Sequence, residues 1–179
     1  MERSVYYNRG KQCQMVSFCV FWALSDNLII IKSSRTEVAG VFSGMSNHSI
    51  DSKGRIVLPA KFREELGESF FITQGFGNRC IQVLSRDEFE RVSARIMELP
   101  ADKSIVLQYV FNGAAVETAP NAQGRIIIPQ ALREYAKLDG DALVIGMIKR
   151  IEIWNKSEYD AFIESRRDVI EEALGMLRL

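Results

Sequence analysis

A fourteen-residue stretch, Asp51-Ser-Lys-Gly-Arg-Ile-Val-Leu-Pro-Ala-Lys-Phe-Arg-Glu64, returns in edited form seventy positions later as Asn121-Ala-Gln-Gly-Arg-Ile-Ile-Ile-Pro-Gln-Ala-Leu-Arg-Glu134. An internal repeat constrains the fold more than composition can, because the chain must build the same small unit twice. Gly54, Arg55, Ile56, Pro59, Arg63 and Glu64 recur as Gly124, Arg125, Ile126, Pro129, Arg133 and Glu134, and the match resumes at Ile81-Gln-Val83 against Ile151-Glu-Ile153.

Each copy reads as a turn, a strand and a short helix. The polar tetrads Asp51-Ser-Lys-Gly54 and Asn121-Ala-Gln-Gly124 combine an Asx side chain that can bond its own backbone with a glycine free to take positive φ. Arg55-Ile-Val-Leu58 and Arg125-Ile-Ile-Ile128 are β-branched runs. Each is stopped by a proline, Pro59 or Pro129, that suits the start of a helix. Asn47 to Ile50 and Ala115 to Thr118 precede the turns, so each copy is expected to open as a hairpin with Gly-Arg at its tip.

Residues from about 41 to 165 resemble the MraZ family, the two-repeat branch of the SpoVT/AbrB swapped-hairpin DNA-binding proteins, whose mark is Asp-x-x-x-Arg in both repeats. Asp51 and Arg55 fit that mark; the second copy has Asn121 in place of the acid and keeps Arg125. Phe111-Asn-Gly-Ala114 also resembles the family's junction before repeat two, although Leu107-Gln-Tyr-Val110 stands where an Arg-rich helix is usual. The resemblance implies an α+β fold in which two tandem modules form a pseudo-twofold swapped-hairpin β-barrel with flanking helices. It also implies a cytoplasmic, nucleoid-associated regulator that assembles into a ring and binds direct repeats upstream of the division and cell-wall gene cluster, its own gene included.

A net charge of zero argues against a generally basic nucleic-acid coat, so a DNA site must find its charge locally. Residues 51 to 63 supply it with Lys53, Arg55, Lys61 and Arg63 against Asp51, and residues 121 to 133 hold Arg125 and Arg133 with no acid. A β-ribbon fits the major groove, where arginine can fork onto guanine. Arg55 and Arg125 are therefore the base or groove candidates. Lys53, Lys61, Arg63 and Arg133 are the phosphate-positioning candidates. Structural readings stand beside these: ion pairs of Arg63 and Arg133 with Glu64, Glu65 or Glu134, and a pair within the turn for Arg55 and Arg125. Asp51, Gly54, Asn121 and Gly124 are expected to shape the turns.

Nothing in the sequence suggests catalysis, a cofactor or a small-molecule substrate. Cys13, Cys19 and Cys80 are an odd number without metal spacing and fit a reducing cytosol. His48, the single histidine, reads as a polar residue of the first hairpin strand. Gly75-Phe-Gly77 reads as a turn, lacking the third glycine of a phosphate loop. These absences leave an antitoxin-like or partner-binding role as the second functional class, favoured by Asn121 and the zero net charge, and an enzyme as a distant third.

The remaining segments follow from patterning. Residues 1–40 match neither repeat and read as an atypical extension or a start assigned too far upstream; the apolar run Val16 to Leu24 is too short to cross a membrane. Repeat one covers 45–88, a helical connector 89–114, repeat two 115–158 and a C-terminal helix 159–179. Phe70 to Thr73 with Cys80 to Leu84, and Ala142 to Gly146 with Ile151 to Trp154, are expected strand pairs. Ser85-Arg-Asp-Glu88 and Asn155-Lys-Ser-Glu158 cap helices. Those helices carry apolar stripes through Phe89, Val92, Ile96 and Leu99 and through Tyr159, Phe162, Ile163, Ile170 and Leu174. Ala101 to Phe111 is expected to be a helix, mostly buried.

Overall fold

The structure is a computed structural model that describes residues 41–177; the readings made for residues 1–40 lie outside the described residues. Strands β1 (Phe42–Ser49) and β2 (Arg55–Val57) lead into helix α1 (Ala60–Leu66), then β3 (Phe70–Gln74), β4 (Cys80–Ser85) and α2 (Arg86–Met97). After α3 (Ala101–Leu107) and a π-helical turn, Gln108–Asn112, the plan repeats. The second copy runs through β5 (Val116–Thr118), β6 (Arg125–Ile127), α4 (Gln130–Tyr135), β7 (Asp141–Ile148), β8 (Ile151–Asn155) and α5 (Lys156–Glu164), and α6 (Arg167–Leu177) follows.

The strands form an antiparallel six-stranded sheet in the order β1-β7-β8-β4-β3-β5 and a separate ribbon of β2 with β6. Exchanging the repeats leaves that order unchanged, and the registers agree with the exchange. Gln82 faces Glu152 at the centre of the sheet, and Ile56 faces Ile126 at the centre of the ribbon. The chain is thus α+β with antiparallel pairing throughout. The sheet is open, however, with β1 and β5 as its edges.

Pairing corrects one expectation. Asp51 N–H does donate to Arg55 O at 3.0 Å, closing each turn as anticipated, but the two arms then part. β1 pairs with β7 of the other repeat, β5 with β3, and β2 with β6. A module of about 50 residues covers too little apolar surface on its own, and exchanging arms lets both copies share one core. Ile56, Leu58, Phe62 and Leu66 meet Ile126, Ile128, Leu132 and Leu138 there, with Phe70, Ile72, Val144 and Ile153 from the sheet.

The helical flanks differ from expectation in two places. Ala101 to Phe111 is helical, but Ile105, Val106, Tyr109 and Val110 are exposed and only Ser104 and Phe111 are buried. The segment packs on α2 through Leu107 and Phe111, with Phe111 O also bonded to Thr73 of β3, and so turns only a narrow face inward, which apolar content alone does not reveal. The C-terminal helix expected over 159–179 is, among the described residues, two helices, because the chain breaks between α5 and α6, where Ser165 Oγ donates to Phe162 O at 2.9 Å. The caps are as read: Ser85 Oγ accepts from Glu88 N–H at 3.3 Å, and Asn155 Oδ1 accepts from Ser157 and Glu158 N–H.

Candidate nucleic-acid interface

The two turns are built alike. In each, Gly54 or Gly124 N–H returns to Asp51 or Asn121 O at 2.8 Å, and both glycines have positive φ, 72° and 74°. Asp51 Oδ1 accepts from the backbone of Lys53 and Arg55 at 2.9 and 3.0 Å; Asn121 Oδ1 accepts from Gln123 and Arg125 at 3.0 and 2.9 Å. These are the Asx turns the tetrads predict. The sequence change from Asp to Asn therefore leaves the backbone design intact.

The change acts on the arginine. Asp51 Oδ2 accepts from both Nε and Nη2 of Arg55 at 2.7 Å, holding the guanidinium in a fork. The Arg55 backbone amide, then the Arg55 side chain and the Lys53 amide, hold the Asp51 carboxyl below its usual range. Asn121 makes no such contact, and among the described residues the Arg125 guanidinium has no hydrogen bond or ion pair. One arginine is oriented and the other is left to choose its own rotamer.

The ribbon brings both arginines to one face. Arg55 stands opposite Ile127 and Val57 opposite Arg125, while the intervening Ile56 and Ile126 point into the core and are buried. Side chains alternate along a strand, so Arg55, Val57, Arg125 and Ile127 share the outward face. Diagonal neighbours in such a pair lie roughly 7–8 Å apart. The two arginines thus form one basic surface rather than two separate tips.

Arg63 and Arg133 make backbone contacts in place of the ion pairs offered as their structural reading. Arg63 Nε donates to Leu58 O and Arg133 Nε to Ile128 O, both at 3.1 Å. Each guanidinium then lies over the turn glycine of the opposite repeat: a Cβ on Gly124 would stand 2.8 Å from Arg63 Cζ, and one on Gly54 2.7 Å from Arg133 Nε. Leu58 N–H donates to Gly124 O and Ile128 N–H to Gly54 O, at 3.0 and 2.9 Å, fastening the same junctions. Neither arginine pairs with Glu64, Glu65 or Glu134 among the described residues. The signal for this clamp was present in the sequence as a nine-residue Gly-to-Arg spacing in both copies, but the crossing between copies could not be read there.

Of the lysines, Lys53 projects from the first turn with an exposed side chain, and Lys61 Nζ donates to Ser43 O at 2.8 Å and lies 4.8 Å from the Phe62 ring centroid. His48 is on β1, half-buried, with Nε2 2.8 Å from Ser46 Oγ; burial lowers its pKa. Cys80 is buried, and its thiol is pushed up to about 12, chiefly by desolvation. Outside the turns, Tyr135 Oη lies 2.9 Å from both Gly75 O and Asn78 O and shares its one proton between them, tying α4 to the loop between β3 and β4. Among the described residues no group of His, Cys, Asp and Glu could hold a metal, and no helix is long and apolar enough to cross a membrane.

Comparison with known proteins places this architecture. Residues 41–105 and 111–174 match the family described as "MraZ protein, putative antitoxin-like". A Caldanaerobacter subterraneus protein named transcriptional regulator MraZ is 43% identical over 131 residues, covering 72% of this chain and 91% of the relative. Relatives of the same name from Desulforamulus reducens and Bifidobacterium longum are 43% and 38% identical, over 68% and 70% of this chain and 87% and 84% of their own lengths. With both repeats matched and the exchanged strands in register, the chain belongs to the MraZ family.

Proposed function

We propose that this chain is a transcription regulator that binds double-stranded DNA in a sequence-specific manner through the outward face of the β2–β6 ribbon. The observation that carries the reading is the joint presentation of Arg55 and Arg125 on that face, with Arg55 oriented by Asp51. A two-stranded ribbon has the width to enter a major groove, and a fixed guanidinium can fork onto guanine N7 and O6. Lys53 supplies a phosphate contact. Arg63 and Arg133 cover the turn glycines, and the cross-repeat clamp makes them chiefly holders of the turns, with their outer N–H groups facing phosphate; Lys61, whose Nζ is bonded to Ser43 O, is a further phosphate candidate. The names of the relatives support regulation of transcription.

The direct repeats, the division and cell-wall cluster and the nucleoid location implied by the family resemblance belong to this proposal, as does assembly of copies into a ring. Exposed Met97, Ile105, Val106 and Tyr109 of the helical connector, and Val169, Leu174 and Met176 on α6, supply apolar surface for such assembly. The pairing of β1 with β7 and of β5 with β3 across the repeats supports the swapped-hairpin reading, and closure into a barrel belongs to the proposal. Because the family match begins at residue 41, a chain shortened to start at Val41 is expected to bind the same DNA.

A gel-shift titration against the DNA upstream of the protein's own gene, at several salt concentrations, tests the reading. Specific binding weakens with salt, and Lys53→Ala lowers the salt slope by about one unit while weakening all sequences alike. Absence of any shift at low salt rejects it. The second reading, an antitoxin-like regulator acting through protein contacts, is supported by the uncharged Asn121 and by the family's description, and takes over in that event.

A further inference from the structure

The arginines are not alone on the ribbon's outward face. Val57 is 37% exposed and Ile127 62% exposed, each directly opposite an arginine: Val57 across from Arg125, Ile127 across from Arg55. Single exposed apolar residues need no explanation. Here the two occur at equivalent positions of the two repeats, are diagonal neighbours, and are bracketed by the only groups proposed to read bases.

We infer that Val57 and Ile127 are specificity-determining residues that read thymine, packing against the 5-methyl groups in the major groove beside the guanines contacted by Arg55 and Arg125. The inference rests on the DNA-binding reading above. The chemistry fits at each step. In the major groove the thymine methyl is the one apolar feature among the base edges, and an aliphatic side chain is its natural partner. The β-branched side chains have few rotamers, and the inward packing of Ile56 and Ile126 fixes the strands that carry them. Positive charge on both sides attracts the duplex, which brings the apolar pair to the base edges instead of to another apolar protein surface. Ile127 is the longer and more exposed of the two, and it faces the arginine that Asp51 holds, so the Arg55–Ile127 pair forms the better-defined half of the reader.

The test uses two versions of the same upstream duplex, one with thymine and one made entirely with deoxyuridine, which lacks only the methyl. The full chain is expected to prefer the thymine duplex by about fourfold for each methyl buried, the worth of one methylene removed from water. The V57S/I127S variant is expected to bind both duplexes equally while keeping its melting temperature and its salt slope; if it melts early, Ile127→Ser alone is expected to lose the larger share of the preference. Equal binding of both duplexes by the full chain overturns the inference and leaves the DNA reading standing. A thymine preference undiminished in a folded V57S/I127S variant also overturns it, placing the methyl contact elsewhere. Failure to bind either duplex rejects the DNA reading itself and this inference with it.

Discussion

The two repeats share a turn, a clamp and a core, yet each spends its variable positions differently. On the helical side, α2 of repeat one packs Phe89, Val92 and Ile96 around Leu84, and the chain then doubles back to place Phe111 under them; Phe89 and Phe111 stack at 5.2 Å and Phe76 and Phe111 at 5.0 Å. In repeat two the residue seventy places on from Ile96 is Arg166, which lies 4.0 Å from the Phe162 ring. Tyr159 and Phe162 pack against Trp154 while themselves staying partly exposed, with no counterpart of the fully buried Phe111 among the described residues. On the turn side, repeat one carries a charged Asx residue and repeat two a neutral one. The clamp residues Gly54, Arg63, Gly124 and Arg133, which cross between the repeats, are shared. The helical-flank and Asx positions compared above, which serve one repeat alone, differ.

The helical contrast predicts the largest effect. Phe111 is fully buried and its carbonyl also accepts from Thr73 Oγ1 at 2.7 Å, so Phe111→Ala should cost about 3–5 kcal/mol in urea unfolding. Phe162, half-buried, should cost about 1–2 kcal/mol when replaced by alanine, in proportion to the smaller area it removes from water. Equal losses would break the contrast and mean that another surface, such as a second copy, closes the repeat-two cluster.

The turn contrast predicts unequal arginines. If a groove needs an oriented guanidinium, Arg55→Ala should weaken operator binding by about 1–3 kcal/mol, the worth of a bidentate base contact, and Arg125→Ala by less. Asp51→Asn should bring the first repeat down to the second, and Asn121→Asp should bring the second up, since either residue supports the Asx turn. Gel shifts on the four variants decide it; equal losses for both arginines would show that Asp51 does not matter to the grip.

These two contrasts also mark how far the sequence could be read. The repeat, the turn tetrads, the strands of β2 and β6, the proline stops and both helix caps follow from local chemistry: Asx bonding, glycine φ, β-branching, a missing N–H. What local chemistry could not tell was where each arm finds its partner. A hairpin closed at Asp51 and Arg55 has the same sequence whether its strands pair with each other or with the other copy. Arg63 and Arg133 illustrate the same boundary, because their nine-residue spacing from glycine is visible but the glycine they cover belongs to the opposite repeat. Exposure of Ile105, Val106 and Tyr109 escaped for a related reason. A short apolar helix looks the same on paper whether its face meets its own core or solvent.

The clamp itself predicts a symmetrical effect of intermediate size. Gly54 and Gly124 both have positive φ and both lie under a guanidinium, so alanine at either should cost about 1–2 kcal/mol from the left-handed backbone alone. The guanidinium over the glycine must also shift from the new methyl, straining its hydrogen bond to Leu58 O or Ile128 O, and that added cost is the part relieved when the arginine is removed. In a double-mutant cycle, Gly54→Ala should couple to Arg133→Ala and not to Arg63→Ala, and Gly124→Ala should show the converse, as contact across the repeats requires. Coupling within a repeat instead would contradict the exchange.

The smallest effect is a pH dependence that belongs to one turn only. The Asp51 carboxyl is held below the ordinary carboxylate range first by the Arg55 backbone amide and further by the Arg55 side chain and the Lys53 amide. A depressed folded-state pKa means that the unfolded chain takes up the proton first. The contribution of Asp51 is therefore fully present above its unfolded pKa of about 3.9 and fades as pH falls through the lower folded value. The stability difference between the wild type and Asp51→Asn should shrink as pH is lowered through that window and be constant above it. Asn121 cannot titrate, so the second turn contributes no such slope until Asn121→Asp creates one over the same range. Because backbone N–H groups supply the largest part, high salt should trim this slope without abolishing it, whereas a contribution from the Arg55 charge alone would be screened away. Urea unfolding at a series of acid pH values checks this, with the carboxyl resonance of Asp51 followed directly by NMR. An Asp51 titrating at the ordinary value, or a wild-type slope unchanged by Asp51→Asn, would show that the charged turn is no better held than its neutral counterpart.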